Sequence, residues 1–258
     1  MIFVSIPFTL LKEKYLDLVL KHGLNVEVAL HADALDRYGY KDFREVAKKL
    51  KQAQLRTTVH LPFIDLSPGA IDPWIKEVSL KRFSVAMQVA ELFEPLNMVF
   101  HSGYHSDYYR EKQEEWLVSV KDGISYLLKL AEEVGSSLSV ENTFEPEPEL
   151  LMEVLREFEG KLYWCFDPAH ARVFSKKHEL YWLEKLHPYL KEIHCHDNSG
   201  EVDEHLAIGK GVIEFKKIFE FFKTKKLKPI LTSEAHTEED TYLNLKALEH
   251  LYQDLKDA

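Results

Sequence analysis

Short β-branched and apolar runs alternate with longer stretches of helical period along the whole chain, and this alternation restricts the fold more than any other feature. The eight runs cover residues 2–6, 25–30, 57–61, 97–101, 139–142, 162–167, 192–197 and 230–234. Helical spacing of apolar positions follows each run in turn, over residues 10–21, 40–54, 74–92, 109–134, 148–158, 180–190, 215–223 and 238–255. Parallel strands need long crossovers, and helices are the usual crossover, so each run plus its helix reads as one βα unit. Right-handed crossovers then close eight such units into a barrel. The expectation is an α/β chain folded as a single (β/α)8 TIM barrel, one domain over residues 1–258, because about 250 residues is usual for one such barrel.

Composition narrows the function classes. An apolar content of 45% supplies a large core, and 29% charged residues supply a solvated exterior. The net charge of −10 weighs against nonspecific nucleic-acid binding, which needs a basic footprint. Bound cations would offset that argument locally. Cys165 and Cys195 lie inside apolar runs with no C-x-x-C spacing, so neither a redox pair nor a thiolate zinc site is suggested. Free buried thiols fit a reducing compartment, and the opening Met1-Ile2-Phe3-Val4-Ser5-Ile6-Pro7 lacks a basic n-region and is too short to span a bilayer. A cytoplasmic protein with no membrane partner is therefore expected.

The chemistry gathers where the runs stop. Six of them end on a side chain that can bind a metal: His60, His101, Glu141, Asp167, His194 and Glu234. The C-terminal strand ends of a barrel are where its active site is built. Each residue alone has a plain structural explanation. His60 or His101 could be a hydrogen-bonded structural histidine, Asp167 could cap the following turn, and Asp203-Glu204-His205 could be a solvated loop. His194 and His196 share a strand face, and Asp197 is placed either to orient a histidine or to cap the loop. Jointly, six strands ending on suitable ligands point to a metal centre, to which His170, Asp203 and His205 add three further donors. Imidazole and carboxylate together suit Zn²⁺ or Mn²⁺.

The order and spacing of these residues resemble endonuclease IV and, more broadly, the xylose-isomerase-like barrel superfamily of sugar isomerases and epimerases. The similarity runs from His60 to Glu234 through His101-Ser102-Gly103, Glu141-Asn142, Asp167 with His170, His194 to Asp197 with His196 in an asparagine's place, and Asp203-x-His205. The resemblance implies nine ligands for two or three ions, with zinc first and manganese second. Glu141 would bridge two ions, with His60 and His101 on one side. Asp167, His194 and Glu234 would serve the second ion, and His170, Asp203 and His205 the third. Glu141 and Glu234 are then the candidate catalytic carboxylates. Phe63 stands where the family has a tyrosine, and with Tyr104 it is a candidate substrate contact.

Two activities follow from that resemblance. One is metal-assisted hydrolysis of a phosphoester, with abasic DNA as the implied partner. The alternative is isomerisation or epimerisation of a small sugar at a single ion held by Glu141, Asp167, His194 and Glu234. The loop after the second run, His31-Ala32-Asp33-Ala34-Leu35-Asp36-Arg37-Tyr38, lacks the basic and aromatic run that grips DNA in endonuclease IV. The opening Val4-Ser5-Ile6-Pro7 likewise replaces that family's glycine-containing turn. Against the one-ion alternative, such a site gives no role to Asp203, His205, His60 or His101.

Overall fold

The computed structural model describes residues 1–256. Its strands are β1 (Ile2–Pro7), β2 (Asn25–Ala29), β3 (Thr57–His60), β4 (Asn97–His101), β5 (Ser137–Glu141), β6 (Leu162–Phe166), β7 (Leu190–Cys195) and β8 (Ile230–Ser233). Each pairs in parallel with the next, and β8 returns to β1 with Leu231 opposite Ile2, so the expected closed eight-stranded barrel is what the chain forms.

The apolar character of the runs comes almost wholly from one face. In parallel register, aligned residues share a side of the sheet. Val26, Val28, Val59, Met98, Phe100 and Val140 point outward and are fully buried under the helices. The inward face is polar. Asn97 donates to Glu192 at 2.8 Å, Ser139 donates to Asn97 at 2.9 Å, and Thr232 donates to Glu192 at 2.5 Å. Glu27 of β2 lies in the same interior, 0% exposed. Polar groups removed from water need such partners, so this layer is tied together by its own hydrogen bonds.

The element edges differ from the sequence expectation in ways that matter for the site. β7 begins at Leu190 and ends at Cys195, so His194 sits one residue inside the strand end. His60, His101 and Glu141 are terminal strand residues, whereas Asp167 and Glu234 are the first residues beyond theirs. Three short helices, Ala32–Arg37, Ser106–Tyr109 and Pro168–Phe174, are additional to the eight expected helical stretches or precede them. Helices of four to seven residues present too few turns for a period to be visible. Among the described residues no helix is long and apolar enough to cross a membrane.

Candidate metal centre

Glu141, at the end of β5 and 1% exposed, is the hub of the barrel mouth. Its Oε2 lies 3.1 Å from Nε2 of His60 and 3.1 Å from Nε2 of His101. Its Oε1 faces Nδ1 of His170 at 3.0 Å and Nδ1 of His194 at 3.3 Å. The same His194 nitrogen is 3.2 Å from Glu234. One carboxylate thus reaches four imidazoles supplied by β3, β4, β7 and the turn after β6, because adjacent parallel strands finish at the same height.

A second group forms beside the first. Asp203 Oδ2 lies 3.2 Å from His170 Nε2 and 3.0 Å from His205 Nε2, and His196 Nε2 is 2.9 Å from Asp167 Oδ2. The rings of His196 and His205 stack at 3.8 Å, and His236 stacks on the far side of His205 at 3.9 Å. The loop that brings Asp203 and His205 here is held by Asp197, which accepts from the backbone N–H of Asn198, Gly209 and Ile213 at 2.9–3.0 Å. Of the two roles open to Asp197, these bonds show the loop-capping one. Gly209 has φ +89, and a Cβ on Gly211 would stand 2.1 Å from the Asn198 carbonyl, so both positions require glycine. Asp167 combines both roles considered for it. One oxygen caps the helix Pro168–Phe174 by accepting from the His170 N–H at 2.7 Å, and the other faces His196.

Donor chemistry fits a cation. His170, His196, Asp203 and His205 form one set whose ligand atoms all lie within 4.8 Å of one another. Glu141, Asp167, His194 and Glu234 form another at the same spacing, as do His60, Glu141 and His194. Several of these atoms are buried without any hydrogen bond of acceptable geometry: both ring nitrogens of His194, Nδ1 of His196, Oδ1 of Asp203 and Oε2 of Glu234. Orphaned buried donors and acceptors are costly, and divalent ions in these sets would satisfy all but His194 Nε2, which faces Glu27 at 3.5 Å. His101 falls outside these three sets but still meets Glu141.

Sequence reasoning placed nine residues here and missed others. His196 belongs to the second set, and its place two residues after His194 in the same run was the available signal. Glu27 and Glu192 form a further buried set with His194. Single acidic residues inside Asn25–Ala29 and Leu190–Cys195 were the clue to them. Phe63 stacks on His101 at 4.4 Å and lines the cavity over the cluster. Tyr104, the other candidate substrate contact, lies elsewhere. It is 2% exposed, packs on Tyr109 and Trp116, and does not line that cavity. Gly103, at φ +72 and tight against Ser67, turns the chain into the core just before it. Both cysteines are buried and free, and burial raises their thiols, so they are chemically quiet.

The cluster polarises its own members. Burial alone would raise the Glu141 carboxyl, but the imidazoles of His194 and His101 outweigh it and hold the group well below its usual value. Glu234, partly buried, is likewise kept low by His194 against the cost of its burial. Burial works against the charged form of His205, and its bond to Asp203 overcomes this and lifts it to about 9. His170 is raised in the same sense against its burial, chiefly by Asp167 and Asp203. In the metal-free protein at pH 7 these histidines carry protons that a metal must displace. Titration with Zn²⁺ at pH 7 is therefore expected to release at least one proton per chain, and fewer as pH rises through about 9, where His205 loses its own. Calorimetry in two buffers of different ionisation enthalpy measures it, and a heat independent of buffer would refute the assignment.

The cavity over the cluster has a volume of about 1000 Å³. Among the described residues lining it, Lys246 is the sole lysine or arginine, and it lies on the last helix, away from the strand ends.

The uncharacterized Methanocaldococcus jannaschii protein MJ1311 is 27% identical over 193 residues, 71% of this chain. That match spans 65% of its own length, less than two thirds. The TTHB071 protein from Thermus thermophilus, solved after soaking with ZnCl2, superposes with a TM-score of 0.84 at 27% identity, covering 98% of both chains. A D-tagatose 3-epimerase-like protein superposes equally well, TM-score 0.84 over 99% of this chain and 98% of that one, at 21% identity. Residues 16–254 match the xylose isomerase-like TIM barrel family, and the chain belongs to it.

Proposed function

We propose that the protein is a divalent-metal-dependent isomerase or epimerase of a polyhydroxylated carbonyl compound, a sugar or a close relative. The observation that carries this reading is the quartet Glu141, Asp167, His194 and Glu234, buried except for Glu234, whose Glu141 and Glu234 line a cavity with no lysine or arginine at its strand-end side. A phosphate-bearing substrate, and DNA above all, calls for such cations. A neutral polyol does not. The structural likeness to an epimerase-like protein supports the same choice.

An ion held by that quartet would polarise a substrate carbonyl and acidify the neighbouring C–H. Glu141 and Glu234 are both held ionised and lie on either side of His194 Nδ1, at 3.3 and 3.2 Å. They are the carboxylates placed to accept the proton and to return it. His60, through Glu141, and Phe63, stacked on His101, wall the site on the β3 side and limit water there.

Metal-assisted phosphoester hydrolysis at a two- or three-ion centre is the second reading. The set His170, His196, Asp203 and His205 favours it, since a one-ion reaction has no use for these residues. The two separate cleanly. Protein loaded with Mn²⁺ or Zn²⁺ is incubated with a ketose panel in D₂O, beside duplex DNA carrying one abasic site. Deuterium entry next to the carbonyl of at least one ketose is expected, with Asp203→Ala retaining it. Strand cleavage without any exchange would reverse the assignment.

A further inference from the structure

The cavity over the metal-binding cluster does not stop at the barrel mouth. It continues along β1 between the helical segment 8–22 and the helix Glu238–Lys256. Val4 and Ile6 form its floor, on the outward face of β1 by their register with Val26 and Val28. Leu10, Leu18, Tyr242 and Leu245 form its sides. Three of these are large apolar side chains left in water, Leu10 at 43%, Leu18 at 50% and Tyr242 at 57%. Lys14 and Tyr15 reach across the gap to Glu238 at 2.6 and 2.9 Å, tying the two helical segments together.

We propose that the substrate carries an alkyl chain that lies in this groove while its polar head is held at the metal cluster. Continuity is the first argument, because one cavity is lined by His60, His101 and Glu141 at one end and by Leu18 and Leu245 at the other. Size is the second. About 1000 Å³ is at the top of the range for drug-sized ligands and far more than one hexose fills. Chemistry is the third. The walls are chiefly aliphatic, so they suit a flexible hydrocarbon, and an apolar strip of this kind left in water is otherwise a liability. Away from the metal-binding end the charged lining residues all lie on the last helix, Glu238 held by Lys14 and Tyr15, and Lys246 and Glu249 beyond Leu245. The placing of the head rests on the metal-dependent reading above; the placing of the chain does not.

Binding decides it, without reference to turnover. A series of n-alkanoates from acetate to decanoate is titrated into Mn²⁺-loaded protein by calorimetry, and n-alkanols into metal-free protein. Affinity in both series is expected to rise about fourfold per methylene beyond butyl, the gain for burying one CH₂. Leu18→Lys and Tyr242→Lys, at side chains 50% and 57% exposed, should flatten both series while leaving acetate binding and the melting temperature unchanged. A rising alkanol series with no head-group contribution in the alkanoates would remove the metal-dependent reading and keep the groove. Affinities independent of chain length, or a slope unaltered in both variants, would overturn the inference. So would a wild-type dimer that both variants dissociate, which would assign the groove to a second copy of the chain.

Discussion

Glu141→Gln is expected to slow carbon-bound deuterium exchange by about 10³-fold or more, within the range for loss of a positioned acid or base. The same change is expected to weaken metal binding strongly. Glu141 is the one carboxylate that faces His60, His101, His170 and His194 together, at 3.0–3.3 Å. A neutral amide keeps the volume but removes the charge that lets four imidazoles converge in a buried space. Glutamine also points an N–H₂ at nitrogens that need an acceptor or an ion. In the metal-free protein His170 and His194 are raised well above the ordinary imidazole value, in part by Glu141. Their titrations should fall in the variant, which imidazole NMR reads independently of turnover. A variant that keeps a tenth of the wild-type exchange rate, or an unchanged metal stoichiometry, would remove Glu141 from the centre of the site.

Glu192→Gln is expected to stabilise the metal-free protein at pH 8 by several kcal/mol and to leave it nearly unchanged at pH 5. Glu192 is 0% exposed, and burial together with the nearby Glu27 carboxylate pushes it up from 4.5 to about 8. Between those values the folded chain holds a proton that the unfolded chain has lost. Stability from this group is therefore full below pH 4.5 and declines as pH rises through about 8. Each unit of separation is worth about 1.4 kcal/mol, so the decline is on the order of 3–5 kcal/mol. Glutamine mimics the protonated acid. Its oxygen can accept from Asn97, and its amide can donate to the Thr232 hydroxyl, in place of bonds now at 2.8 and 2.5 Å. Urea unfolding of both proteins at the two pH values isolates the effect, because all other titrations are common to them. Equal differences at pH 5 and pH 8 would show that Glu192 does not carry the proton.

How much of this was legible before folding depends on the range over which each signal acts. The barrel was legible because hydrophobic period is local, and eight repeats of strand then helix leave few topologies. Most of the candidate site was legible for a related reason. A strand end in a parallel barrel always faces the mouth, so His60, His101, Glu141, Asp167 and Glu234 could be placed without knowing their partners. Short helices were not legible, since Pro168–Phe174 is shorter than the window in which a period can be recognised.

Other features depend on the third dimension. Tyr104 and Phe63 both follow a ligand-bearing strand, yet Gly103 turns Tyr104 into the core while Phe63 stays on His101. No local pattern distinguishes them. Glu27 and Glu192 are far apart in sequence, and only closure of the sheet places both beside His194. By itself the sequence determined an eight-fold α/β barrel and a ring of imidazoles and carboxylates at its mouth, because both follow from period and strand polarity. Tertiary structure alone decided that Glu141 is the hub, that the strand-end side of the cavity lacks lysine and arginine among the described residues, and that a groove leads away along β1. Those facts rest on distances between residues that the chain separates and the closed barrel brings together.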